Sequence, residues 1–543
     1  MRTSLPLLAL LAATAAGQSP QPGYTLFSPV QSDQTHLLDN AGFVAHTWQG
    51  TNSPGVAAYL KPNGNLLRTM QITFGPGGTG GRVQEIAWDG SLVWSYTVNS
   101  ATELSHHDVE PLPNGNVLMV VWDIVDSNEA VAQGRDPLLL QSPIFRSEKI
   151  IEVEPDGFNG GNIVWEWRVW DHLVQDAFAD KPNFGDPAAN PGRVDLNFPP
   201  TAPAQGDWLH INGVDYDPVR DEISLSVPYF NELWVIDHST TTEEAAGSSG
   251  GNRGQGGEIL YRWGNSQAWG VPGVQQLFFQ HDVTFVDAGF PGEGNFLLFN
   301  NNGGGPGSNF SKVMEIVPPR DPSGDYVLQP GQAYGPPQAS WEYVAPQPSQ
   351  FFSWNMSGAE RLANGNTLIC SAVQGWFFEV DPGGQVVWEH TNVLPNPFAP
   401  NVFKVRRYQR WLYSDRAAVS AGAGGSASLE LLAGAENANR AYLLLGSASG
   451  TSGGFVLDGH ELPLNPLDPY FQFTLSAPNG GLIPQSFGLL DANGIASTLF
   501  SLPAGVTPPA LVGSELHHAY AVIDPLSGKI TRTSNAQLVR IDP

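Results

Sequence analysis

The chain has 543 residues, only 14% of them charged against about 25% in an average soluble protein, and a formal net charge of −27. That balance has no basic footprint for a phosphate backbone, which excludes a nucleic-acid partner. Hydrophobic residues at 41% exclude disorder, and 61 Gly with 45 Pro exclude long helices, leaving an all-β chain rich in Val, Ile, Leu, Trp and Phe.

At the N-terminus, Met1-Arg2, the apolar run Leu5 to Ala13 and the small residues Ala15-Ala16-Gly17 have the layout of a secretory signal over residues 1–17. The run is too short to cross a bilayer, and no later run approaches ~20 apolar residues. A secreted or periplasmic protein without a membrane span is therefore expected. The single Cys370 excludes an intrachain disulfide and, within Asn366 to Cys370, reads as buried packing.

Two signatures alternate through the first four hundred residues. One is a turn followed by an apolar strand: Asn63-Gly64-Asn65, Asn114-Gly115-Asn116, Gly294-Asn295 and Asn364-Gly365-Asn366. Asn-Gly supplies the positive φ angles of a tight hairpin. The other is a strand closing on Trp: Trp48, Trp94, Trp165, Trp263, Trp341 and Trp388. Between them lie strands such as Ile150 to Val153, Leu233 to Ile236, Val313 to Ile316 and Phe377 to Val380. Four strands per unit, repeated six times with a mean period of about sixty residues, predict a six-bladed β-propeller over 18–410.

After Trp411 the signatures vanish. Ala417 to Ser428 reads as a linker or an irregular first strand. Short strands at Ala441 to Leu445, Phe471 to Leu475, Ala519 to Ile523 and Ala536 to Ile541 predict a small β-sandwich over 411–543. It carries no chemical motif, and His517-His518 reads as structural.

A propeller gathers function where its innermost strands begin, around the axis. Eight residues before the turn glycines stand Val56, His107 and Ser357. The equivalent strands of two further blades open with His210-Ile211-Asn212 and with His281-Asp282. A lone histidine at a strand end is ordinarily structural, but three at one phase in separate repeats predict converging imidazoles. His106, beside His107, should face the other way and serve as packing or support. His36, His46, His172, His238 and His390 share no such phase. Three imidazoles can hold a metal with an open position. Alternatively, one can act as a nucleophile while the others and Asn212 donate to an oxyanion. Spacing alone does not separate these.

At these residues the sequence resembles the bacterial aryl-sulfate sulfotransferases (arylsulfotransferases). The resembling segments are His106-His107-Asp108 with Pro113 to Asn116, Asp207 to Asn212, Leu233 to His238, Tyr261 to Asn265, Gln280-His281-Asp282 and Ser357 to Leu362, covering about Gly23 to Tyr408. The C-terminal region lies outside the resemblance. The resemblance implies a ping-pong transfer of a sulfuryl group from a small-molecule aryl sulfate to a phenol, without a nucleotide donor or other cofactor. A histidine takes the sulfuryl group, and His281 matches it. His107 and His210 match supporting histidines, and Asn212 a nearby asparagine. One flanking histidine would protonate the departing phenolate. Tyr229, Phe230, Phe352 and Trp354 are candidates to stack on the aryl ring, being close to expected strand ends. The family arginine that follows the His-x-Asn segment is replaced here by Pro228, so Arg361 or Arg262 would have to stand in. The disulfide of enteric members cannot form with Cys370 alone. Homodimer formation stays open.

Two other readings remain at this stage. One is a metal-dependent hydrolase or lyase built on His107, His210 and His281. The other is a non-enzymatic secreted propeller for recognition or attachment, with the C-terminal domain as anchor.

Overall fold

Each Asn-Gly turn joins the first two strands of an antiparallel four-stranded sheet, and the computed structural model contains six such sheets among its described residues. Those residues are 19–543 except 22, 41, 43, 62, 89, 202–203, 409–410, 415, 417, 435–436, 452–453 and 506–510. The expected signal segment lies outside them. Innermost strands Pro54–Leu60, Glu103–Pro111, Gly213–Asp217, His281–Phe285 and Gly358–Arg361 head the first five blades. The sixth is shared between the ends of the propeller segment. Its innermost strand Arg406–Tyr408 pairs with Tyr24–Phe27, followed by Gln34–Leu38 and Val44–Gln49. The protein is an all-β, six-bladed propeller followed by a small β-sandwich.

The repeat signatures have physical causes. Every motif tryptophan lies on the outermost strand of its blade and donates its indole N–H to the following blade. Trp48 donates to Ala87 O, Trp94 to Gly160 O, Trp165 to Thr240 Oγ1, Trp263 to Pro336 O, Trp341 to Pro382 O and Trp388 to Asn40 O. Each acceptor lies at the connection between the third and fourth strands of that following blade. The tryptophans thus latch the blades into a closed circle. The second asparagine of the turn motif reaches the third strand of its own blade: Asn65 to Glu85, Asn116 to Glu152, Asn295 to Glu315 and Asn366 to Glu379, each at 2.6 Å. Apolar side chains fill each of the six gaps between neighbouring blades. Cys370 is fully buried in the gap between the fifth and sixth blades.

Beyond Tyr408, strands Trp411–Ser414, Gly425–Leu432 and Ile495–Leu502 form one sheet. Ala418–Ser420, Gln537–Asp542, Glu515–Ile523, Ala441–Ser447 and Phe487–Leu489 form a second, with Ile530–Thr533 beside it. Leu412, Leu429, Leu431 and Phe500 of the first pack against Tyr442, Leu444, Tyr520 and Val539 of the second. The Ala/Gly/Ser-rich stretch therefore supplies strands of the sandwich. One expected strand is corrected: Phe471 to Leu475 lies in the helix Pro469–Ser476. Asp468 caps it by accepting from the Tyr470 and Phe471 N–H groups, and Pro469 takes the first helical position, where its missing N–H costs nothing. His518 is buried in its strand with Nε2 2.9 Å from the Tyr470 hydroxyl, as a structural residue should be. The sandwich meets the propeller at the face of the Asn-Gly turns, where Asn535 and Gln537 approach Gly64.

Candidate active site

Inner strands of this fold are irregular where they begin. Register shifts fall between Pro54 and Ala58, Ser105 and Val109, and His281 and Thr284. Val56, His107, His210 and Ser357 all have positive φ, at 101°, 50°, 57° and 86°. Such bulges re-aim side chains, here toward the axis. At His107 and His210 the phase read from the sequence coincides with a backbone kink, whereas in the fourth blade the positive φ falls one residue later, at Asp282 (54°). Two details differ from expectation. His107 lies within its strand, which continues back to Glu103, and His210 precedes the strand Gly213–Asp217.

Two of the three histidines are in direct ring contact, and aromatic side chains connect the third to them. The rings of His107 and His210 are T-shaped with centroids 4.5 Å apart. Tyr229 stacks on His210 at 4.9 Å and touches Phe279 at 5.7 Å. Phe279 meets His281 at 6.0 Å, His281 meets Phe403 at 6.2 Å, and Phe403 returns to His107 at 6.0 Å. Six rings therefore form a closed circuit: three imidazoles alternating in part with three aryl groups. Such a setting offers an apolar seat for a ring and nitrogens for an anionic group.

Each imidazole is held differently. His281 has Nδ1 2.8 Å from Asn301 Oδ1. Asn301 donates Nδ2 to the carbonyls of Ser353 and Met356, so its oxygen faces His281 and the histidine carries its proton on Nδ1. Nε2 is left as the acceptor and receives the Met356 N–H at 3.1 Å. Burial lowers the His281 pKa from 6.5 to about 4, which keeps the ring neutral. His210 has Nδ1 2.6 Å from Asp207 Oδ2, and Asp207 also accepts the Trp122 indole N–H. His107 has Nδ1 2.8 Å from Nδ1 of His106, whose Nε2 lies 2.7 Å from Glu148. His106 is stacked on Trp122 at 3.9 Å. Burial, then the neighbouring His210, lowers the pKa of both His106 and His107 well below 6.5. Nε2 of His107 and Nε2 of His210 have no hydrogen-bond partner among the described residues. A Cβ on Gly78 would fall 2.1 Å from Nε2 of His107. Only glycine leaves that nitrogen uncovered.

Under the rings lies an ionic cluster. The aspartates that follow two of the histidines, Asp108 and Asp282, turn to the closing strand of the ring. Lys404 Nζ is 2.7 Å from Asp108 and 3.2 Å from Asp282, and Arg406 grips both oxygens of Asp282 at 2.9 and 2.7 Å. Arg406, then Lys404, outweighs the burial of Asp282 and holds its pKa down at about 2. Tyr59 donates to Asp108 at 2.8 Å.

Other expected site residues lie elsewhere or serve otherwise. Asn212 is fully buried and donates its amide to Gln280 O at 3.0 Å, so it anchors the residue before His281. Arg361 sits at the turn end of its strand, 2.5 Å from Glu315 and over the Trp341 ring, and makes no contact with the histidines. Arg262 is buried against Glu232. Neither replaces the guanidinium that Pro228 lacks. The cations nearest the rings are Lys404, Arg406 and Arg146, the last lying over Trp122. Phe230 is core, packed on Phe198, Trp208 and Trp234. Phe352 is half-buried and Trp354 is 58% exposed, and neither has a ring contact among the described residues. Of the four aromatic candidates, only Tyr229 joins the circuit.

Sequence reasoning missed Phe279, Asn301, Phe403, Lys404, Arg406 and Glu148. One signal was available: Lys404, Arg406 and Arg407 form a dense basic run in an acidic chain. Among the described residues no three His, Cys, Asp or Glu side chains are arranged to hold a metal ion. A cleft of about 1250 Å³ lies elsewhere: residues between 327 and 342 form it with Trp263 and Trp269, and none of the three histidines lines it. No helix among the described residues is long and apolar enough to cross a membrane.

The family model described as Arylsulfotransferase (ASST) matches residues 28–395, which contain all three histidines. No curated protein matches the chain. Among solved structures, a protein of unknown function from Bacteroides caccae is 10% identical over 71% of this chain and 99% of its own, with a TM-score of 0.39. The Pseudomonas aeruginosa periplasmic gluconolactonase is 12% identical over 96% of this chain and 97% of its own, with a TM-score of 0.35. The Cps50 (Swd1) β-propeller domain of Myceliophteria thermophila is 10% identical over 70% of this chain and 88% of its own, with a TM-score of 0.33. Scores this low carry no argument, and the fold rests on its own strand pairing.

Proposed function

Because the chain belongs to the arylsulfotransferase family, we propose that it moves a sulfuryl group from an aryl sulfate to a phenol through a sulfo-His281 intermediate. The observation that carries this reading is the circuit of six rings, with the unprotonated Nε2 of a neutral His281 as one member. In the first half-reaction Nε2 attacks sulfur, the S–O bond to the aryl oxygen breaks, and the phenolate leaves with the bonding pair. The proton stays on Nδ1, donated to the Asn301 oxygen, so the N-sulfonated ring keeps imidazolium character and is itself a good leaving group. In the second half-reaction a phenol oxygen attacks the same sulfur and the N–S bond breaks. The aryl group of each substrate sits against Tyr229, Phe279 and Phe403. The sulfuryl oxygens face Nε2 of His107 and of His210. With Pro228 in place of the family arginine, positioning and these two imidazoles carry the charge stabilisation.

Attack requires the lone pair now taken by the Met356 N–H. Met356 and Ser357 hold successive positive φ values of 56° and 86°, a strained stretch for residues other than glycine. The segment Phe351 to Ser357 must give way when substrate enters. Residues 1–17 support export, so the reaction would run outside the cytoplasm.

Incubation with 4-nitrophenyl sulfate tests the reading. Nitrophenol should appear in a burst of one equivalent, with steady turnover only when phenol is added. A peptide containing His281 should gain the mass of one sulfuryl group, and His281→Gln should lose both signals. Turnover without an acceptor, or a labelled residue other than His281, would refute the mechanism.

A further inference from the structure

The Glu148–His106–His107 chain has the geometry of a proton path, and it is not used by the attack itself. Glu148 Oε2 is 2.7 Å from His106 Nε2, and His106 Nδ1 is 2.8 Å from His107 Nδ1. All three side chains are buried, and His107 ends the chain with an unpartnered Nε2 beside His210. Two nitrogens that close must share one proton, so the chain has two self-consistent states. In one, Glu148 is a carboxylic acid donating to His106 Nε2, His106 Nδ1–H donates to His107 Nδ1, and His107 presents Nε2–H. In the other, Glu148 is a carboxylate, both inner protons have moved one step along the chain, and His107 presents a bare Nε2.

We propose that Glu148, acting through His106, is the proton store that makes His107 an acid in one half-reaction and a base in the other. This rests on the sulfotransfer reading above. In the first half-reaction His107 gives its Nε2 proton to the departing phenolate. His106 passes its Nδ1 proton to His107 Nδ1, and Glu148 passes its carboxyl proton to His106 Nε2. One O–H bond forms on the phenol and one breaks at Glu148, which ends as a carboxylate. In the second half-reaction the attacking phenol returns a proton to His107 Nε2, and the sequence reverses. Neither His106 nor His107 becomes a cation.

The surroundings favour the neutral resting state. Glu148 Oε1 accepts the Ile211 N–H at 3.1 Å, as a carboxylic carbonyl does. Burial first, then Asp207 and Asp123, raises the Glu148 pKa well above its usual value, while the Ile211 and His210 N–H groups act weakly the other way. Burial first, then His210 and Arg146, disfavours an imidazolium at His106. Lys404 and His281 oppose a charge on His107 as well. The sequence-based expectation that His106 is packing or support is thereby extended to a role in proton movement.

Glu148→Gln keeps the hydrogen bonds but cannot release a proton. The acid step matters little for nitrophenolate, a weak base, and much for phenolate, whose conjugate acid has a pKa near ~10. Single-turnover desulfonation by Glu148→Gln should therefore fall about 100-fold or more on phenyl sulfate and only a few-fold on 4-nitrophenyl sulfate. An equal loss on both esters would overturn the proposal, because a merely structural defect does not depend on the leaving group. A second measurement needs no turnover. ¹⁵N-histidine NMR of the wild-type protein at neutral pH should show His106 protonated on Nδ1 and bare on Nε2. The reverse tautomer would overturn the proposal even in an active enzyme. If wild type fails on every aryl sulfate yet shows the expected tautomer, the sulfotransfer reading fails and takes the acid–base role with it, whereas an active wild type with the reverse tautomer overturns the proton store alone.

Discussion

Lowering the pH should switch off sulfuryl uptake with a midpoint near 4, not near the 6.5 of a solvated imidazole. In the proposed mechanism the nucleophile is Nε2 of neutral His281, and protonation there removes the lone pair. Burial is the largest cause of the lowered pKa; the Asn301 hydrogen bond and the Phe279 carbonyl oppose it weakly. With a pKa of about 4, roughly one molecule in 1,000 is protonated at neutral pH. The same shift is linked to stability. Between 6.5 and about 4 the unfolded chain binds a proton that the native His281 does not. The stabilisation is therefore whole above 6.5 and drains as pH falls toward 4, by about 3 kcal/mol at ~1.36 kcal/mol per unit. The assay is the pH dependence of kcat/KM for nitrophenol release at limiting 4-nitrophenyl sulfate, which reports the free enzyme. Circular dichroism at each pH separates loss of the nucleophile from loss of the fold. A midpoint near 6.5 in a folded protein would show His281 to be solvated and would refute the reasoning from burial.

Trp48→Phe removes the indole N–H that Ala87 O accepts and leaves that carbonyl with the Gly90 N–H alone; denaturant unfolding should report a loss of about 0.5–1.5 kcal/mol. Lys404→Met leaves Asp108 and Asp282 buried with less positive charge and should cost about 3–5 kcal/mol, while adding Asp108→Asn should restore part of it in a double-mutant cycle. Tyr229→Ala removes the ring stacked on His210 and should raise KM for aryl sulfates about tenfold; Tyr229→Phe, which keeps the ring, should stay within about twofold. Burial and then Asp207 push the Tyr229 pKa up to about 12, so its hydroxyl stays neutral through the assay range.

The propeller was legible because its signatures each repeat one physical job. A tryptophan that latches the following blade, and an asparagine that ties a hairpin to its third strand, must recur once per blade, and recurrence is visible in a single sequence. The three histidines were legible for the same reason, since each stands near the start of its blade's innermost strand and so at a comparable phase. Residues that act once leave no such trace. Asn301 follows an ordinary apolar strand, and Glu148 sits in the polar run Arg146 to Lys149, which reads as solvent-facing. Their roles come from neighbours 20 and 42 residues away. His106 was expected to turn away from His107 by strand alternation, but the register shift between Ser105 and Val109 breaks that alternation and brings the two Nδ1 atoms together. Arg361 illustrates the opposite error. Its segment resembles the family, yet it points to the turn end of its strand, where Glu315 holds it. The helix at Pro469–Ser476 was hidden by an alternating apolar pattern, although Asp468-Pro469 was a start signal that could have been weighed.

The strand Arg406–Tyr408 completes the sixth blade, and its neighbourhood also delivers Lys404 and Arg406 to the aspartates beside His107 and His281. A chain still being synthesised has its histidines long before it has these cations. Until residue 406 arrives, Asp108 and Asp282 lack their counterions and the ring is open. On the proposed mechanism, arming the chemistry and finishing the architecture thus become one event, and a prematurely truncated product would be inert by construction and not merely less stable.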